Sequence, residues 1–170
     1  MMQQYLTHFE QAHRRGFLER IWNFFRREPN DLLSFEAVRQ LLRLRTGYDK
    51  GLQEIELDKI VGSVGRGREF TRRFFPKTDR LENRWSKVDQ LYHERGFEPI
   101  TVYQVSQVYF VLDGNHRVSV SQTHGLTLME AYVQVFHSPI TITPHDTLDT
   151  IRQKWSRLNR SSTSLALVST

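Results

Sequence analysis

The chain predicts an α+β fold, and three observations predict it. Apolar residues recur at helical spacing near both ends of the 170 residues. Two runs rich in Val, Ile, Tyr and Phe face each other across a short turn within 100–112. The second run passes through Asp113-Gly114 directly into a helical pattern.

In order along the chain, residues 3–27 read as a helix, because Tyr5, Phe9, Ala12, Leu18, Ile21, Phe24 and Phe25 share near-helical spacing with Arg and Glu between them. Glu28-Pro29-Asn30 ends it, since the residue before a proline avoids the helical region. A second helix follows with Ser34 or Asp31 as its cap and Phe35, Val38, Leu41 and Leu42 as its buried stripe. Residues 45–51, RTGYDKG, read as a turn-rich connection. The first fifty residues are thus expected to form a helical hairpin, covering the core or making a homodimer interface. Ile55, Leu57 and Ile60 predict a short strand and a turn. Residues 84–95 predict a helix with Trp85, Val88, Leu91 and Tyr92 on one face and Gly96 as its stop. A β-hairpin takes 100–105 and 107–112, with Ser106-Gln107 near its turn. Residues 115–124 form a short helix stopped by Gly125, and 128–136 a further strand. Pro139 and Pro144 bound a loop. A last helix begins at Asp146 or Thr147, presents Leu148, Ile151, Trp155 and Leu158, and ends near 160, with a flexible tail over 161–170.

Composition narrows the chemistry. The hydrophobic fraction of 38% is that of a globular chain. A formal charge of +5 favours anionic partners such as nucleotides, nucleic acid or phosphorylated metabolites, and serves solubility equally well. With no cysteine, disulfides, thiolate metal sites and cysteine nucleophiles are excluded together. No apolar run approaches the roughly 20 residues of a membrane span, and the N-terminus lacks a secretory pattern. The expectation is a cytoplasmic protein with no membrane partner.

The chemistry-bearing stretch is YFVLDGNHRVSVSQTHG, 109–125. A strand–glycine–helix junction offers helix N–H groups and the positive dipole end to an anion. Gly114 lets the backbone approach a ligand. Arg117 can fork onto phosphate oxygens, and His116 can donate to one or move a proton near neutral pH. Asp113 suits a divalent cation, a ligand hydroxyl or a base. The same residues also allow a purely structural role, with Asp113 capping the helix and Arg117 paired to it.

The order IELDKI, GFEPITV, VLDGNHR and LMEAYVQVF, spanning 53–136, resembles the ParB/sulfiredoxin superfamily. The helices of 1–50 lie outside the resemblance, and 137–160 adds a C-terminal helix packing on the domain. The resemblance implies a small mixed sheet with helices and nucleotide phosphates bound at Gly114, Asn115, His116 and Arg117. The superfamily includes CTP-binding partitioning proteins, plasmid nucleases or NTPases, ADP-dependent free-serine kinases and sulfiredoxins. Asn115 stands where the sulfiredoxin loop carries cysteine, which excludes that activity. The favoured expectation is a DNA-associated ParB-like domain that binds ATP, ADP or CTP, with Mg²⁺ on Asp113, and hydrolyses a nucleotide or phosphodiester. A small-molecule kinase or a non-catalytic nucleotide-sensing module is the alternative.

Residues 66–84 form the most basic segment, with seven basic side chains against three acids. Arg66 and Arg68, beside Gly65 and Gly67, can add to a phosphate site. The segment can equally track DNA with Phe70, Phe74 or Phe75 stacking on bases, or be a solvated face with those rings in the core. Glu69 is the carboxylate expected to act beside Asp113 and His116, with Glu98 its rival. The seven histidines show no HExxH-type pair, so no zinc site is expected.

Overall fold

Among the described residues six strands form one mixed sheet, and the helices sit on its two faces. The computed structural model describes the backbone of residues 2–26 and 30–167, and side chains within 4–22 and 30–161. The elements run α1 (Met2–Arg26), β1 (Leu33–Ser34), α2 (Phe35–Leu42), β2 (Arg45–Glu56), β3 (Ile60–Ser63), α3 (Glu82–Arg95), β4 (Ile100–Val105), β5 (Val108–Asp113), α4 (Asn115–His124), β6 (Leu128–His137) and α5 (Leu148–Leu167). The strand order is β1-β3-β5-β4-β6-β2. The β1/β3, β3/β5 and β4/β6 pairs are parallel, whereas β4/β5 and β2/β6 are antiparallel. The fold is therefore α+β, as the sequence predicts.

The hairpin follows its local chemistry closely. Val105 pairs with Val108 across the two-residue turn Ser106-Gln107, and Ser106 takes a left-handed φ of 56°. Alternation along β4 sends Ile100 and Val102 to one core and Tyr103 and Val105 to the other. On the first face α1, α3 and α4 cover Ile55, Ile100, Val102, Val111, Met129, Ala131 and Val133. On the second, α2 and α5 cover Val61, Val105, Val108, Phe110 and Phe136.

The N-terminal helices do not form a hairpin. Phe9 and Ala12 of α1 enter the first core with Trp85, while Phe35, Val38 and Leu42 of α2 enter the second with Ile151 of α5. The two-residue strand β1, parallel to β3 at the sheet edge, lies between the helices and carries the chain across. The buried face of α1 is Phe9, Ala12 and Gly16 rather than the expected stripe, for Leu18 and Ile21 are exposed. Residues 27–29, with the expected Glu28-Pro29 stop, and the side chains of Phe24 and Phe25 lie outside the described residues.

Residues 45–51 are strand, not turn. Pairing with β6 carries β2 through them, and bulges at Thr46/Asp49 and Asp49/Gly51 absorb the turn-forming residues. Asp49 Oδ1 accepts the Gly51 N–H at 2.7 Å within that irregularity. Ser34 Oγ caps α2 by accepting Ala37 N–H at 3.2 Å. Thr147 caps α5, its Oγ1 accepting Thr150 N–H at 3.1 Å. That helix continues to Leu167, past the tail expected from 161, and residues 168–170 lie outside the described residues. Among the described residues no helix is long and apolar enough to cross a membrane.

Candidate functional site

β5 delivers its last residue, Asp113, to a one-residue junction. Gly114 has φ 112° and ψ 17°, and α4 begins at Asn115. A Cβ at Gly114 would lie 2.4 Å from Ile100 Cγ2, so both the backbone angle and the packing against β4 demand glycine. No side chain caps the start of α4. Its first N–H groups, at the positive end of the helix dipole, therefore have no capping side chain among the described residues.

Around this junction lies a cleft of about 160 Å³, lined by Val64, Arg66, Glu69, Arg84, Val88 and Leu112 together with residues 113–117. It brings together Asp113, Gly114, Asn115, His116, Arg117, Arg66 and Glu69. It leaves out Arg68, which is exposed on the connection after β3, and Glu98, whose carboxylate is 77% exposed and 3.7 Å from Arg95. Arg84, at the start of α3, is marked in the sequence only as the last cation of the basic segment 66–84. Among the described residues it has no ion pair or hydrogen bond, so it brings an uncommitted cation to the cleft.

The interior of the cleft is polar and unsatisfied. Asn115 and His116 are buried, at 9% and 8% exposure. Asn115 Oδ1, His116 Nδ1 and Glu69 Oε2 are buried atoms with no hydrogen-bond partner. Burial pushes His116 down to about 4; the Arg84 guanidinium adds to the effect, Glu69 opposes it, and Arg66 adds further. The imidazole is thus neutral at pH 7, with its edge-on neighbour Phe70 5.4 Å away between ring centres. Buried polar atoms without partners are uncommon in folded proteins, and three of those among the described residues belong to side chains that line this one cleft.

Arg117 is committed elsewhere. Its Nη1 donates to the Glu98 carbonyl at 2.9 Å and the Pro99 carbonyl at 2.7 Å, and its Nη2 to Asp113 Oδ2 at 2.5 Å. It ties the segment before β4 to the end of β5, the structural pairing that the sequence allowed, and it is not a free phosphate fork. Asp113 does not cap α4, and its side chain is 69% exposed.

The basic segment is not one surface. Arg66 donates to Glu69 Oε1 at 2.8 Å. Arg72 is held inward, its Nη2 donating to the carbonyls of Pro144 at 3.0 Å and Asp146 at 2.9 Å. Lys77 pairs with Asp31. Phe70, Phe74 and Phe75 are buried in the first core, so none can stack on a nucleic-acid base.

Two further places stand apart from the cleft. A larger hollow of about 420 Å³, lined by Tyr48, Lys50, Gln104 and residues 135–141 among others, holds none of the junction residues. At the far end of α4, His8, His93 and His124 converge on Asp89. Sequence reasoning missed this group; its visible trace was Asp89 and His93, four apart on one helix face.

No protein-family model and no curated protein matches the chain. Among solved structures, the crystal structure of sulfiredoxin from Arabidopsis thaliana is similar to it at 23% identity and a TM-score of 0.39, over 51% of this chain and 86% of that one. A likeness of that size concerns backbone shape over half the chain and says nothing of activity.

Proposed function

We propose that the chain binds the phosphate of a nucleotide at the N-terminus of α4. The observation that carries this reading is the uncapped helix start surrounded by three orphaned buried polar atoms, Asn115 Oδ1, His116 Nδ1 and Glu69 Oε2. The open N–H groups and Arg84 ask for an anion. Two of the orphans are oxygen acceptors and ask for a donor or a cation. A nucleotide meets both demands, with phosphate oxygens for the helix and sugar hydroxyls, a base amine or a hydrated Mg²⁺ for the acceptors.

A cleft of about 160 Å³ is small beside the roughly 300–1,000 Å³ of pockets that enclose a whole ligand, so the phosphate end is enclosed and the rest lies outward. Mg²⁺ would be held by the free oxygen of Asp113 and by Glu69 Oε2, where it would neutralise phosphate charge. Glu69 also favours a second reading, in which its unpaired oxygen takes the proton of a substrate hydroxyl during phosphate transfer.

Calorimetry with ATP, ADP and CTP, each with and without Mg²⁺, tests the first reading. Arg84→Ala is expected to weaken binding about tenfold, the worth of one charge-assisted hydrogen bond. If none of the three nucleotides binds at millimolar concentration, the reading is wrong. Turnover of a bound nucleotide that Glu69→Gln abolishes supports the second reading, and binding without turnover removes it.

A further inference from the structure

The group around Asp89 has a composition and burial that point to a metal. Asp89, on α3, is fully buried at 0% exposure. His8 of α1 places Nδ1 2.8 Å from Asp89 Oδ2. His124 of α4 places Nε2 2.6 Å from Asp89 Oδ1. His93, one turn along α3, holds Nδ1 3.7 Å from Oδ1 and 2.9 Å from the Asp89 main-chain oxygen. One ligand atom from each of the four lies within 4.8 Å of all the others.

A buried carboxylate needs charge compensation. Among the described residues the ion pairs of Asp89 are with these three imidazoles, not with any Lys or Arg. The imidazoles of His8 and His124 satisfy its hydrogen bonds, but hydrogen bonds alone do not match its charge. A cation inside the ring of donors would match it.

We propose that His8, Asp89, His93 and His124 bind one divalent transition-metal ion of the zinc class. Imidazole nitrogens with one carboxylate select such an ion over Mg²⁺ or Ca²⁺, which prefer all-oxygen shells. Ligand bonds of about 2.0–2.1 Å in a tetrahedron put neighbouring donor atoms about 3.3 Å apart. With Asp89 Oδ1 as the carboxylate ligand, the His124 contact opens from 2.6 Å by roughly 0.7 Å and His93 closes in from 3.7 Å, while His8, now 2.8 Å from Oδ2, turns to the same ion. The rings of Tyr5 and Tyr92 flank the histidines, 5.7 Å from His93 and 5.1 Å from His124 between centres.

Four protein ligands close the shell, so the site is structural rather than catalytic. Its ligands come from α1, α3 and α4, and the ion clamps the N-terminal helix onto the other two. His124 lies nine residues along α4 from Asn115, about 13 Å by the helical rise, so this site and the nucleotide cleft are independent.

The test uses the untagged full chain, stripped with a chelator and dialysed. Zn²⁺ is titrated against a chromophoric competitor, and Co²⁺ is added separately to read the strong visible absorption of tetrahedral cobalt. The expected result is one ion per chain, the tetrahedral cobalt spectrum and a higher melting temperature with Zn²⁺. Asp89→Asn and His124→Gln should weaken binding by more than the 10–100-fold that loss of an outer-shell partner costs. Because the Asp89 variant can fail to fold, His93→Gln, at a ring 38% exposed, provides the second measure; it should lose the tetrahedral spectrum while staying folded. His145→Gln, at an exposed histidine outside the group, should bind as wild type. No stoichiometric uptake by the wild type, or equal affinity of wild type and His93→Gln, overturns the proposal.

Discussion

His116 should make the protein acid-sensitive, and the size of the effect follows from its burial. The side chain is 8% exposed, and its pKa is pushed from 6.5 to about 4, by burial first and Arg84 second. A histidine depressed in the folded state stabilises the fold where it is neutral in both states, above pH 6.5. The stability is lost as pH falls below 6.5, because the unfolded chain takes up the proton first, and the loss levels off below about 4. A displacement of that size, at about 1.4 kcal/mol for each tenfold change in proton affinity, sets a ceiling of about 3 kcal/mol. Partial hydration of the ring brings the expected loss between pH 7.5 and pH 4 to about 2–3 kcal/mol. Urea denaturation of wild type and His116→Gln across that range measures it as the difference between the two pH profiles. Proton NMR of the imidazole measures the same quantity directly. Parallel profiles, or a ring titrating near 6.5, would contradict the depression by burial and remove the neutral imidazole from the cleft.

Other substitutions have calculable outcomes. Gly114→Ala forces a Cβ to 2.4 Å from Ile100 Cγ2 at a φ of 112°. Left-handed strain and overpacking together predict a loss of about 3 kcal/mol or more in chemical denaturation. Arg72→Ala removes the donors to the Pro144 and Asp146 carbonyls. It should cost about 2 kcal/mol and raise amide hydrogen exchange over 139–147 selectively. Trp85→Phe breaks the 2.9 Å bond from the indole N–H to Ser119 Oγ inside the first core, and should cost about 1–3 kcal/mol by thermal melt.

Much of the architecture was legible in the sequence where its cause is local. The Ser106-Gln107 turn, the glycine stops at Gly96 and Gly125, and the Asp113-Gly114 junction each sit where short-range chemistry puts them. What was hidden depends on partners far away in the chain. The first part of β2, residues 45–51, reads as a turn because Gly47, Asp49 and Gly51 dominate it, yet β6, some eighty to ninety residues later, pairs it into strand. The two N-terminal helices looked like a hairpin because they are neighbours in sequence, but the sheet separates them. At the site the same division holds. The junction residues were visible, whereas the engagement of Arg117 by the Glu98 and Pro99 carbonyls and the presence of Arg84 were not. The histidine group was hidden for the same reason, since His8 is 81 residues from Asp89 and His124 is 35 residues from it.

The nucleotide phosphate is proposed to sit at the N-terminus of α4. An amide proton–nitrogen NMR titration with ADP and Mg²⁺ tests it most directly, because it reads the N–H groups themselves. Saturable shifts are expected on Gly114, Asn115, His116 and Arg117, with smaller ones at Glu69 and Arg84 and none at Asp89 or His124. Shifts that do not saturate, or that leave residues 114–117 unmoved, would contradict it.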